Sequence, residues 1–295
     1  MEITHSKNRE KELESPVFIS ANPRWFLVNW NEFWQYRDLL FLFIRKEFII
    51  NYRQTILGPL WYLIQPVILT GMLTIVFQKN GSINVDGIPH FLFYFSAFVI
   101  WGYFSAAFPK TAESLSASSH LFGKVYFPRL VMPLAYVVSK SLIFFTQLIF
   151  FSCLVLYFKI FTPSGTVIHP QFFKIIIAIP VCFLITSLFS LGLGLIFAAM
   201  TVKYRDLNHT VSLAIQFLFL GTPIFYSTRY VIDKDQSIFL FNPLVAVIDL
   251  FRNAFFGTTA LEPIFILQAL IISLATVFVG IGVFNYVQRD YIDAV

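Results

Sequence analysis

The sequence predicts an all-α integral membrane protein, and three observations carry that reading. Six long apolar runs follow one another along the chain. Hydrophobic residues make up 57% of the sequence and charged residues 13%, where a soluble domain carries about 25% charge. The Lys and Arg residues gather at the ends of the apolar runs rather than on them. A net charge of +5 placed in this way favours anionic lipid over nucleic acid.

Each run is then justified in turn. Residues 1–29 form a polar tail with no apolar core, so no cleavable signal peptide is expected. Over 30–52, Trp30, Phe33, Trp34, Phe41, Ile44 and Phe48 recur at helical spacings, with Glu32, Gln35, Asp38, Arg45 and Lys46 off the stripe. That pattern predicts an amphipathic helix lying in the cytoplasmic interface. At Gly58-Pro59 the charged stretch gives way to the first apolar run. The runs cover about 57–78, 91–108, 131–158, 172–200, 210–226 and 264–286, each near the ~20 residues that cross a bilayer. Six transmembrane helices are therefore expected.

Basic residues orient them. With the amino terminus inside, fourteen of the 21 Lys and Arg lie inside and six outside, so both termini are expected in the cytoplasm. Lys140, in the third span, is the one clear case of a charge within the membrane. It fits a phosphate or pore contact, or a snorkelling or interhelically bonded lysine.

The connections differ in character. Residues 111–123 can form a short polar helix that Gly123 ends, or a solvated loop. After the fifth run, Gly221 and Pro223 interrupt the helix and a second apolar stretch, Ile238 to Gly257, carries Asp249 and Arg252. Seven spans would worsen the charge balance, so a hairpin over 227–257, entering from the outer side and returning, is expected. Pro66 and Pro180 are expected to kink their spans. Ser190, Gly192 and Gly194 in span four, with Gly280 and Gly282 in span six, are expected to let helix backbones approach closely. Cys153 and Cys182 read as small buried hydrophobes.

Several chemistries find no support. The chain contains no GxxxxGK[ST] loop, so ATP energy has to come from another polypeptide, and no HExxH, CxxC or GxSxG. The five His are scattered along the chain, which argues against a metal site.

Five ordered segments carry a resemblance. RQTILGPLWYLIQP at 53–66, GKVYFPRLVMPLA at 123–135, VKYRDLNH at 202–209, TPIFY at 222–226 and FNPLVAVIDLFRNAFFG at 241–257 resemble, in this order, the ABC-2 type permeases. The similarity is to the polysaccharide-export branch, the Wzm-type subunits of O-antigen export and their teichoic-acid and capsule relatives, and it covers about residues 30–290.

The resemblance implies an inner-membrane homodimer working with two copies of an ATP-binding subunit that holds Mg-ATP, and no cofactor in this chain. It implies a cargo glycan linked to undecaprenyl diphosphate, most readily an O-antigen. Residues 30–52 resemble the family's interface helix, 111–123 its coupling helix and 225–257 its periplasmic gate. ATPase coupling would then fall on Thr111, Glu113, Ser114, His120, Phe122, Arg205 and Asp206, and the gate on Asn242, Pro243, Asp249 and Arg252. Arg45 and Arg53 can meet the lipid diphosphate or lipid headgroups.

A polymer conduit needs weak contacts repeated along its wall, which aromatic faces provide. Trp61, Tyr62, Trp101, Tyr103, Phe225 and Tyr226, with Lys140, are the expected substrate path, and each aromatic also fits an interfacial belt. Two alternatives share parts of this pattern. One is an ABC-2 exporter of a small lipid or drug. The other is a membrane-embedded polyprenyl-phosphate sugar transferase, for which Glu113 with His120, or Asp233 with Asp235, are poor acid–base pairs.

Overall fold

The computed structural model describes residues 30–53, 56–80, 87–117, 127–161, 170–203, 205–228, 240–258 and 261–292. The tail over 1–29, residues 118–126 with His120 and Phe122, and residues 229–239 of the expected hairpin lie outside the described residues. Among the described residues every regular element is helical. We number the helices α1 (Trp30–Gln35), α2 (Arg37–Tyr52), α3 (Trp61–Asn80), α4 (His90–Ala112), α5 (Ser114–Ala117), α6 (Val131–Phe161), α7 (Phe172–Lys203), α8 (Asn208–Leu220), α9 (Pro243–Phe256) and α10 (Pro263–Ile292).

Five of these, α3, α4, α6, α7 and α10, are long and apolar enough to cross a bilayer. They correspond to the first, second, third, fourth and sixth of the expected spans. The fifth run yields α8, whose 13 residues rise about 20 Å, short of the ~30 Å hydrocarbon core. Composition carried the apolar run on to Tyr226, but helix geometry stops at Gly221. Pro223 has no N–H to give the preceding turn, and residues 221–226 are turns and bends.

The core is organised around α4, which α3, α6, α7 and α9 all contact. The most apolar stretch of α4 is 78% buried while those of α3 and α10 are 11% and 17%, so α4 is the axis and the other two are rim helices. Phe is the main packing material. Phe104 stacks on Phe108 and Phe189 at centroid distances of 5.6 and 5.5 Å. Phe151 of α6 touches Phe251, Phe255 and Phe256 of α9. Offset and edge-on ring pairs of this kind are worth about 0.5–1.5 kcal/mol each beyond their area.

α7 and α10 cross at glycines, as expected. A Cβ on Gly192 would lie 2.6 Å from backbone atoms of Thr276 and Val277, and one on Gly280 would lie 2.7 Å from the Gly192 carbonyl oxygen. Only hydrogens fit at that crossing. Of the two cysteines, Cys182 is buried but Cys153 is exposed, which corrects the reading of both as buried.

The expected interface helix is broken in two. Tyr36 sits at φ −94°, ψ 16° between α1 and α2. Phe43 is buried with its ring 5.6 Å from Phe127, and Tyr36, Leu39, Leu40 and Ile44 pack beside it against the start of α6. Trp34 and Phe41 of the expected stripe instead face outward, at 66% and 67% exposure. A hydrophobic pattern does not distinguish a protein-facing side from a lipid-facing one, because hydrocarbon and core are equally apolar.

Candidate functional site

Polar contacts from the amino-terminal half of α4 and the end of α8 converge on α9. Asn242 caps this helix, its Oδ1 accepting the Leu244 N–H at 3.1 Å, and Pro243 occupies the first turn where a missing N–H costs nothing. The same amide's Nδ2 donates to the Gly221 carbonyl at 3.3 Å and to Thr222 Oγ1 at 3.1 Å. Asn242 thus joins the start of α9 to the irregular end of α8.

Arg252, one helix turn before the end of α9, is 4% exposed. Its Nε donates to Ser96 Oγ at 3.1 Å, and Nη2 donates to the carbonyls of Phe93 at 3.2 Å and Ile224 at 3.4 Å. Nη1 donates to the Tyr226 carbonyl at 3.4 Å, and the guanidinium carbon lies 3.7 Å from the Phe93 ring centroid. The planar fork suits this task, since its five N–H donors in fixed directions serve four acceptors, one more than the three donors of an ammonium can. Ile224 and Tyr226 belong to the non-helical stretch after α8, whose carbonyls need donors at membrane depth.

Asp249 and Arg252 share a helix but reach different elements. Asp249 Oδ2 accepts the Leu261 N–H at 2.7 Å, tying α9 to the entry of α10. Asn253 accepts from Lys174 Nζ at 3.3 Å and donates to the Thr258 carbonyl. Every side chain of α9 except Leu250 is buried. Fourteen residues rise only about 21 Å, so α9 is a short helix enclosed by protein.

The opposite end of α4 is simpler. α4 continues to Ala112, so Thr111 lies on the second span and not on a separate polar helix. It is buried, bonded to the Ala107 carbonyl at 2.8 Å and packed on Gly194. Ser114 is buried on α5, beside Leu115, which packs with Leu195, Ala198 and Phe284. Glu113 is exposed and pairs with Lys110 at 3.2 Å. Asp206, in the short Arg205–Leu207 turn, is exposed.

The expected path aromatics divide. Trp61 is 53% exposed, and Tyr62, Phe225 and Tyr226 are partly buried. Trp101 is buried against Phe104 and Phe219, and Tyr103 is buried, donating to the Val137 carbonyl and sharing a 2.8 Å bond with Ser187 Oγ. Arg45 and Arg53 are both exposed. Lys140 is 7% exposed, within electrostatic reach of Glu47 on α2 and of Lys110. Among the described residues no group of three or more His, Cys, Asp or Glu can hold a metal.

Sequence reasoning missed Ser96, Glu47, Asn253 and Gln147. Ser96 looks like any small residue in an apolar run, and Glu47 lies on another helix from Lys140. Gln147 did leave a signal, as a carboxamide near the middle of a 31-residue apolar helix.

These features define a multi-pass α-helical membrane protein with a buried, arginine-centred short helix fastened to its central span. The ABC-2 type transporter family matches residues 38–256, and the chain belongs to that family. Its members are membrane permeases without a nucleotide-binding domain, and membership implies an ATP-hydrolysing partner subunit. The chain is similar to the O-antigen export system permease protein RfbA of Klebsiella pneumoniae, at 28% identity over 86% of this chain and 93% of that protein. It is also similar to RfbA of Myxococcus xanthus, at 27% identity over 90% and 98%. A further relative is the polysialic acid transport protein KpsM of Escherichia coli, at 22% identity over 83% and 91%.

Proposed function

We propose that this chain is the permease subunit of an exporter carrying an undecaprenyl-diphosphate-linked polysaccharide, an O-antigen in the first instance, across the cytoplasmic membrane. The observation that carries the reading is end-to-end similarity to permeases of O-antigen export, with 93% and 98% of their lengths matched. The polysialic acid transporter is similar at lower identity, which favours a polymer over a small lipid or drug.

In this reading two copies pair along the exposed apolar faces of α3 and α10 and bind two ATPase subunits, with both chain termini in the cytoplasm. Exposed Glu113 and Asp206 meet the ATPase, together with Arg205, His120 and Phe122. Thr111 and Ser114 pass its push to α7 and α10. Arg45 and Arg53 receive the lipid diphosphate. Trp61, Tyr62, Phe225 and Tyr226 line the path, with Trp101, Tyr103 and Lys140 packed behind them. Helix α9, held by Asn242, Pro243, Asp249 and Arg252, is the outer gate.

The test is deletion of the chain in its source cell. Surface polysaccharide should disappear and undecaprenyl-linked polymer should accumulate inside, with both reversed by the wild-type chain. Intact surface polymer together with lost efflux of a small lipid or drug sinks the proposal.

A further inference from the structure

Pro66 lies inside α3 and is buried. Having no N–H, it cannot serve the carbonyl four residues earlier, that of Tyr62. The donor at that carbonyl comes from another span. Gln147 of α6, 2% exposed, donates through Nε2 to the Tyr62 carbonyl at 2.9 Å. The amide's orientation follows from chemistry, because a carbonyl only accepts and so must face the nitrogen. The other end of the amide, Oε1, is buried and has no hydrogen-bond partner among the described residues.

Space for the amide is made by a third span. A Cβ on Gly102 of α4 would lie 2.7 Å from both Nε2 and Oε1 of Gln147. Spans one, two and three therefore share one point, built from a proline, a glycine and a glutamine. About 24 Å back along α6, sixteen residues at helical rise, the same helix begins at Val131 and carries Phe43 and its neighbours from α2. The amphipathic helix and the first span are consecutive in the chain, and α6 holds both.

We infer that Gln147 is a positioning residue that stands in for the absent Pro66 N–H and so binds span one to span three, making α2, α3 and α6 move as one body. Displacement of α2 by a cytoplasmic partner then carries the first span with it instead of being absorbed at the Gly58-Pro59 turn. The export readout below rests on the function proposed above; the unfolding readout does not.

The test is a cycle of Gln147→Met, Pro66→Ala and the double variant, in the full chain assembled with its ATPase subunit. Methionine keeps the length and volume of glutamine but cannot donate. Alanine in place of Pro66 restores the helix's own N–H. Gln147→Met should lower the unfolding midpoint by about 2–4 °C with Pro66 present and by clearly less in the Pro66→Ala background. Equal cost in both backgrounds overturns the stand-in role.

For positioning, polymer displayed at the cell surface is compared with ATP hydrolysed by the purified complex. Gln147→Met should lower display per ATP by about three- to tenfold, and adding Pro66→Ala should not restore it, because that change satisfies the carbonyl without reconnecting the spans. Unchanged coupling overturns the positioning role. If the wild-type complex hydrolyses ATP yet displays no polymer, the exporter reading fails and the unfolding cycle still decides the Gln147 contact.

Discussion

Arg252 and Ser96 lie 156 residues apart in the chain and 3.1 Å apart in space, Nε to Oγ. The contact fastens α9 to the amino-terminal half of α4. With the carbonyls of Phe93, Ile224 and Tyr226 on the same guanidinium, it makes one side chain the meeting point of α4, α9 and the stretch after α8.

Removing that side chain should loosen all three. Arg252→Leu should destabilise the protein by about 2–3 kcal/mol, since several buried acceptors lose a charged donor at once. Arg252→Lys should recover only part of this, because an ammonium does not reproduce the fork. Unfolding midpoints in detergent check both variants, and a Lys variant as stable as the parent would contradict the account.

Asn242 does two jobs that substitution can separate. Asn242→Asp keeps an oxygen to cap Leu244 N but cannot donate to Gly221 or Thr222, whereas Asn242→Ala loses all three contacts. Alanine should cost about 1–2 kcal/mol, with Asp intermediate. If α9 closes the outer face, both should also raise leakage of a small fluorescent solute from proteoliposomes in the absence of ATP. Tight vesicles with the Ala variant would exclude α9 as the seal.

The α7–α10 crossing should not tolerate even a methyl group. Gly192→Ala places a carbon 2.6 Å from the Thr276 backbone and should cost about 1–3 kcal/mol by overpacking. Gly71→Ala is the control. Its Cβ meets nothing within 4 Å, so it should be neutral or stabilise α3 by up to about 1 kcal/mol. Monodispersity by size exclusion and unfolding midpoints measure the contrast.

Lys140 lies within electrostatic reach of Glu47, so the two are expected to be coupled. Lys140→Met and Glu47→Gln are each expected to lower export, while the double variant should be no worse than the more damaging single. A coupling of about 0.5–3 kcal/mol is typical of neighbouring charges. Strict additivity would show that the two side chains act independently.

Much of the fold was legible in the order of residues, and the misses share a cause. Long apolar runs marked α3, α4, α6, α7 and α10 because run length in residues translates directly into distance along a helix. The fifth run was overextended because Pro223 and Gly221 break geometry without breaking hydropathy. The short helix α9 was recognised as a separate apolar element. That Asp249 and Arg252 serve different neighbours was not legible, since spacing on one helix says nothing of what stands opposite. The stripe over α1 and α2 did not say which of its side chains meet protein. Trp34 and Phe41 face outward while Phe43 is buried, and all three look alike in a hydropathy pattern.

By itself, then, the order of residues determined that the chain is helical, that it enters the membrane repeatedly, and that it carries no phosphate-binding loop of its own. These are local properties, set by run length and by short motifs. Only the tertiary structure decided that Arg252 would meet Ser96 and that Gln147 would serve the carbonyl Pro66 cannot. Those pairings join helices distant in sequence. A buried polar group takes its partner from whatever packing brings within about 3 Å, and that depends on how the helices cross.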